Sequence, residues 1–216
     1  METKTKYPRT YHFKFSPGAK NNDRINDDYS NLLGKNILIT EKMDGSNTSF
    51  SNEAVFGRSH VEPTKNSWDV KMWELHYRIK SDIEDDMFIF GENMYGIHSI
   101  EYSELTSYFY IFGIRYKDTW LSWDDVEEYS YLLDIPTVPV LFKGIINTSK
   151  DLEKLVIDLA SQPSALGGLR EGVVVRLRDS FQDENFSNSL LKYVRKDHVS
   201  TDIHWSKNYK KAILKY

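Results

Sequence analysis

The stretch Asn36-Ile37-Leu38-Ile39-Thr40-Glu41-Lys42-Met43-Asp44-Gly45-Ser46-Asn47 decides how this chain is read. Its first five residues form a short apolar run rich in β-branched side chains, the pattern of a buried strand. The strand closes on Glu41-Lys42, and Asp44-Gly45 marks a tight turn directly after it. A lysine at that place aims its amine into whatever cleft the strand borders. Taken alone, however, Asp-Gly is a common turn, and the residues around it have to carry the reading further.

Working outward, residues 47–51 and 53–57 read as a hairpin around Ser51-Asn52-Glu53. Residues 67–81 hold few breakers and place Trp73, Tyr77 and Lys80 at helical spacing. Met87-Phe88-Ile89-Phe90 and Tyr108-Phe109-Tyr110-Ile111-Phe112 read as strands, as do Gly172-Val173-Val174-Val175 and Leu190-Leu191-Lys192-Tyr193-Val194. Ser122 with Asp125 predicts a capped helix to about Leu133, and Thr148 with Asp151 another to about Ala160. Strands cluster and helices come singly, without βα alternation. This predicts an α+β fold of largely antiparallel sheets flanked by helices, and not a doubly wound one. The polar run from Ser16 to Asn31 reads as a surface loop. The expected organisation is a basic lead and loop at 1–35, a main domain at 36–198, and a short basic, helical tail at 199–216.

At 216 residues the chain can bury a full core without disulfide or metal staples. It has no cysteine, which removes disulfide scaffolds, cysteine nucleophiles and thiolate zinc sites. No run approaches the roughly 20 apolar residues that cross a bilayer, and Met1 to Pro8 lacks the apolar core of a signal peptide. A cytoplasmic protein, in a phage or bacterial context, is expected. Lys and Arg number 28 against 32 Asp and Glu, a net charge of −4. The distribution is uneven: residues 1–20 hold five basic and one acidic, residues 190–216 seven and two, and the middle 16 and 29. Basic ends around an acidic body suit phosphate contact, and suit solvated termini equally.

Four further segments put charged or aromatic side chains on apolar strands: Phe90-Gly91-Glu92, Tyr110-Ile111-Phe112-Gly113, Glu171-Gly172-Val173-Val174-Val175-Arg176, and Leu190 to Lys196. Singly, Phe112 reads as core, Arg58 as a surface pair and Glu171 as a solvated strand end. Lys192, inside an apolar strand, must be paired or face a cleft, because a lone buried charge is costly. In this order, and with Lys42-Met43-Asp44-Gly45 ahead of them, the segments resemble the covalent nucleotidyltransferases, the superfamily of polynucleotide ligases and RNA capping enzymes. Glu41-Lys42 and Gly45-Ser46-Asn47 look most like the ATP-dependent RNA ligases of the phage-type RNA ligase 2 group. The resemblance covers roughly residues 36–198. Two positions depart from it: Val194 stands where a second lysine is usual, and Gly113 where many relatives have Asp.

The resemblance implies an adenylyltransferase domain in which Lys42 attacks ATP and carries AMP. It implies that Lys192, and Mg²⁺ (or Mn²⁺) held by Glu171 and water, stabilise charge on the α-phosphate and depress the Lys42 pKa. Arg58 would join them, Glu92 would bind the ribose, Phe112 would stack on adenine, and Glu41 or its backbone would meet the base edge. Asn47 would lie near the transferred phosphate or the incoming 3′ end. The implied substrates are RNA ends, in a nicked duplex or single strand, with DNA or mixed ends as the alternative. A second alternative is a non-catalytic nucleotide- or RNA-binding protein that keeps the fold. Only 20 residues follow Lys196, too few for an OB domain, so a minimal core is expected, with a separate chain as the candidate replacement. Two basic segments could touch a strand: Lys4-Lys6-Arg9-Lys14 with Tyr7, Tyr11 and Phe13, and the tail with Lys207, Lys210, Lys211 and Lys215. His198, Asp202 and His204 match no metal-ligand spacing, and there is no P-loop.

Overall fold

A computed structural model of the chain describes residues 6–58, 60–196 and 209–215. Its twelve strands, numbered in chain order, form two six-stranded sheets. The first sheet contains β1 (Tyr11–Phe13), β2 (Ile25–Asn26), β3 (Asn36–Lys42), β9 (Val140–Ile145), β10 (Gly172–Leu177) and β12 (Leu190–Val194), in the order β2-β1-β12-β10-β3-β9. The second contains β4 (Ser46–Phe50), β5 (Val55–Gly57), β6 (Met87–Asn93), β7 (Phe109–Tyr116), β8 (Thr119–Trp120) and β11 (Phe181–Gln182), in the order β11-β8-β7-β6-β4-β5. Pairing is antiparallel throughout, except that β1 runs parallel to both β12 and β2.

The turn after Lys42 carries the chain from one sheet to the other. Asp44 fixes it: its carboxylate accepts the N–H groups of Ser99 (2.8 Å) and Ile100 (2.9 Å), and its own N–H donates to Tyr102 Oη (3.0 Å). Gly45 follows because no side chain fits there. A Cβ would lie 2.6 Å from Asn93 O and 2.9 Å from Glu92 Cγ. The turn is thus pressed against β6, which brings Lys42 beside Glu92.

Helix α1 (Val70–Ile79) is flanked by single 3₁₀ turns at Ser67–Asp69 and Lys80–Asp82. The expected helical span is present, but the buried stripe is Met72, His76 and Ile79, one residue away from the Trp73-Tyr77-Lys80 stripe, and Tyr77 is 68% exposed. Helix α2 (Trp123–Leu133) starts on the reciprocal capping box of Ser122 and Asp125, and α3 (Ser149–Ser161) on the Thr148 hydroxyl. One core cluster joins α1 and α2 to the second sheet. The other packs Leu152, Val156 and Ala160 of α3 against Val173, Val175 and Leu191 of the first sheet. A short fourth helix, α4 (Phe186–Ser189), leads into β12.

Two expectations about the ends need correction. The lead is more than a lead and loop, because β1 and β2 extend the first sheet beyond β12. Phe13, expected near a nucleic-acid strand, is fully buried in the core. The tail is not helical over 209–215. It runs extended, with Ala212 N–H on Tyr95 O (2.9 Å), Lys215 N–H on Leu105 O (2.8 Å), and Ala212 buried. Those backbone pairings, together with the packing of Ala212 and Leu214 on the core, favour a strand-like path. Residues 197–208, including His198, Asp202, His204 and Lys207, lie outside the described residues.

Candidate active site

A cleft of about 600 Å³ is lined from both sheets, and seven of the eight expected site residues line it: Glu41, Lys42, Asn47, Arg58, Glu92, Phe112 and Lys192. The eighth, Glu171, reaches it through Lys42, whose Nζ donates to Glu171 Oε2 at 2.7 Å. The register explains the meeting. Antiparallel pairing sets Lys42 opposite Gly172 and Thr40 opposite Val174, while Val174 lies opposite Lys192. Because side chains alternate, Thr40, Lys42, Val174, Arg176 and Lys192 share the cleft face. Glu171, just ahead of β10, is only 5% exposed, so it is a buried, ion-paired residue behind Lys42 and not a solvated strand end.

The protein groups around Lys42 set the direction of its pKa. Burial opposes its charge, but Glu171, Glu92 and Asp44 more than offset this, and its pKa is raised. Lys192 shows the opposite: burial, then the Lys42 cation and Arg58, pull it down to about 8 against the opposition of Asp23 and Glu171. Glu92 is pushed up to about 7, first by burial and also by Glu171 and Asp44, while Lys42 and the Gly45 N–H oppose. Its Oε1 accepts that N–H at 3.1 Å.

Glu41 turns its side chain away from this chemistry. Its Oε2 lies 3.3 Å from Arg170 Nε and accepts the Ala165 N–H at 3.0 Å, so the carboxylate braces the loop before β10. Only its backbone borders the cleft. Asn47 stands opposite Glu92 in the sheet, and its buried Oδ1 has no hydrogen-bond partner. An orphaned acceptor on a cleft wall suits a ligand donor. Arg58 is exposed in the turn after β5.

Phe112 lies half-buried on β7, and the Tyr7 ring packs edge-on against it at 5.1 Å between centroids. Tyr7 also lines the cleft, where burial pushes its hydroxyl up to about 12. Arg176 was not assigned a role from the sequence. It is 2% exposed, donates to Leu121 O (2.8 Å) and Leu177 O (3.0 Å), and burial pulls its pKa to about 10. A basic residue ending an apolar strand was the available signal. Gly113 faces the opposite side from Phe112, and a Cβ there would come within 3.3 Å of the Trp120 ring.

For a divalent metal, the oxygens of Glu171 and Glu92 are hard donors of the right type. Among the described residues no three His, Asp or Glu form a ready-made cage.

A family model described as RNA ligase matches residues 35–194. Comparison with curated proteins finds no match. Among solved structures, a Naegleria gruberi RNA ligase with PPi aligns with a TM-score of 0.57 at 18% identity, over 77% of this chain and 51% of that one. The form with ATP and Mn gives 0.55 at 19%, over 78% and 52%. An archaeal ATP-dependent RNA ligase gives 0.56 at 14%, over 88% and 48%. At such identities the likeness is one of fold, and the chain spans about half the length of these structures. The family model runs from the residue before β3 to the end of β12, across both sheets and the cleft between Lys42 and Lys192, and the chain belongs to the RNA ligase family.

Proposed function

We propose that the chain is an ATP-dependent RNA ligase that joins 5′-phosphate and 3′-hydroxyl ends through a Lys42–AMP intermediate. The observation that carries this reading is the 2.7 Å contact of Lys42 with Glu171, on a cleft wall shared with Lys192 and Glu92. The Naegleria relative solved with ATP and Mn supports ATP and a divalent ion as the partners of that pair. The wording around Lys42 supports the phage-type group within the family.

Lys42 must first become an amine, and Glu171 Oε2 is the acceptor in contact with its proton. The amine attacks the α-phosphorus of ATP, a P–N bond forms, and pyrophosphate leaves with the electrons of the broken P–O bond. A second proton passes from nitrogen to water. Lys192 stabilises charge on the phosphate oxygens, and Glu92 accepts a hydrogen bond from the ribose. Glu171 would also be the protein ligand of a Mg²⁺ or Mn²⁺, which would add electrostatic stabilisation; with Glu171 engaged in that way, the first Lys42 proton would pass to water as the second does. A 5′-phosphate oxygen then takes AMP from Lys42, and a 3′-hydroxyl displaces AMP to seal the strand.

The test is intact mass after incubation with Mg²⁺ and ATP or GTP, on protein first treated with pyrophosphate. An AMP-sized gain from ATP only, lost in Lys42→Ala, is expected. No gain with either nucleotide refutes the ligase reading and leaves a binding protein. Nick sealing on all-RNA, all-DNA and mixed duplexes then separates RNA from DNA substrates.

A further inference from the structure

The turn that carries Lys42 stands between two cavities. Met43 and Gly45 border the cleft, whereas Asp44 borders a second cavity of about 430 Å³, walled by Ile100, Tyr102 and Leu105 on one side and by Ala212 and Leu214 on the other. With this open space behind it, Asp44 is located by its hydrogen bonds. They come from loop 94–105: Ser99 and Ile100 donate to its carboxylate, and Tyr102 Oη accepts its N–H. The same loop places His98 Nε2 3.1 Å from Ser46 Oγ, just past the turn.

Loop 94–105 belongs to no named strand or helix. Its ends are anchored by Met94 N–H on Tyr108 O and Glu104 N–H on Leu166 O, both 2.8 Å. Between them, segment 209–215 supplies backbone partners. Ala212 N–H donates to Tyr95 O and, in return, Ile97 N–H donates to Lys210 O, both at 2.9 Å, with Gly96 opposite Lys211. Tyr108 Oη donates to Ala212 O (3.2 Å), and Lys215 pairs with Glu104. Along the segment, Ala212 and Leu214 pack on the core while Ile213 is 80% exposed. At its head, the Tyr209 ring stands edge-on to Trp68, 6.1 Å between centroids, and Trp68 lines the cleft.

We propose that segment 209–215 is a positioning element for Lys42: by pairing with loop 94–105 it fixes the groups that hold the Asp44 turn, and with them the place of the amine two residues earlier. Each link is a direct contact, from Ala212 to Tyr95, along the loop to Ser99 and Ile100, and from these to Asp44. The cavity explains why the link matters. A turn backed by packed side chains would keep its place without the loop, whereas a turn backed by open space shifts when its hydrogen bonds loosen.

The consequence for turnover rests on the adenylylation reading, but the primary test does not. Amide hydrogen exchange at Ser99 and Ile100, followed by NMR on the full chain without nucleotide, reports the grip on Asp44. Ala212→Glu and Leu214→Glu should each expel the segment and speed exchange at both amides about tenfold, while Val173 and Val175 of β10 keep wild-type protection. Ile213→Glu adds the same charge on the exposed side and should change neither. Tyr108→Phe removes only the hydroxyl bond to Ala212 O; it should speed the two amides about threefold, and it decides the matter if the glutamate variants do not fold. Unchanged exchange at Ser99 and Ile100, or an equal loss of protection in β10, overturns the proposal. At saturating ATP, Ala212→Glu should form the Lys42 adduct about tenfold to a hundredfold more slowly, with the half-saturating ATP concentration within about twofold of wild type. A saturating rate equal to wild type marks a merely structural segment and also overturns it. Wild type that forms no adduct would defeat the functional reading alone, with the exchange result still deciding this one.

Discussion

Glu92→Gln tests the electrostatics of the cleft most directly. The Glu92 pKa stands at about 7 in the folded protein against an ordinary 4.5, chiefly because burial penalises its charge. Between those values the folded chain keeps a proton that the unfolded chain has released. The stabilising contribution is thus fully present below about pH 4.5 and lost as pH rises through about 7. A gap of about 2.5 units corresponds to at most about 3.4 kcal/mol at 1.36 kcal/mol per unit, and partial opening to the cleft reduces this to about 2 kcal/mol. Glutamine keeps an oxygen to accept the Gly45 N–H and removes the charge. Urea unfolding without nucleotide or metal, at pH 4.5, 6 and 8, should find the variant equal to wild type at the lowest pH. At pH 8 it should be about 2 kcal/mol more stable, or about 4–8 °C higher in Tm. The same variant should bind ATP more weakly, so stability and function move in opposite directions. A difference that does not vary with pH, or a variant less stable at pH 8, would refute the reasoning.

Gly45→Ala should cost about 1–3 kcal/mol, because its Cβ meets Asn93 O at 2.6 Å. It should also slow adduct formation as the turn carrying Lys42 shifts; urea melts and intact mass read the two effects. Arg170→Met removes the cation 3.3 Å from the fully buried Glu41 carboxylate, and a loss of about 3–5 kcal/mol is expected in the same melts. Leu152→Ala empties the centre of the α3 contact with the first sheet and should cost about 2–5 kcal/mol while leaving the adduct yield per folded molecule unchanged.

The parts of the fold legible in the sequence were those with local signals. Ser122/Asp125 and Thr148/Asp151 marked helix starts because a cap is a contact between residues three apart. β1 was not legible. It is three residues long, and its partner β12 lies nearly the whole chain away, so no local pattern records the pairing. β9, the edge strand of its sheet, is half-exposed and holds Gly144, which leaves no clean alternation. In the cleft, the ordered motifs identified which residues meet, but not which way each one faces. Glu41 and Lys42 are adjacent, and strand alternation alone sends one carboxylate to Arg170 and the other residue's amine to Glu171.

The charge on Lys42 could not be read from any single motif, because it depends on carboxylates arriving from three places: the turn after β3, β6, and the head of β10. Their combined field holds the amine protonated, and a protonated lysine is no nucleophile. On the proposed adenylylation, Lys42 is thus a nucleophile held inactive, in contact with the carboxylate that keeps it so. Whatever takes up the charge of Glu171, whether a proton or a cation, weakens the strongest support for the Lys42 ammonium. Lys192 is tuned the other way, with a pKa of about 8 that leaves its own charge dependent on nearby anions. Phosphate arriving in the cleft would strengthen that charge at the moment it is needed. Activation is then coupled to occupancy: the residue that must lose a proton is held protonated until the site fills, and the residue that must stay charged is supported by the substrate it stabilises.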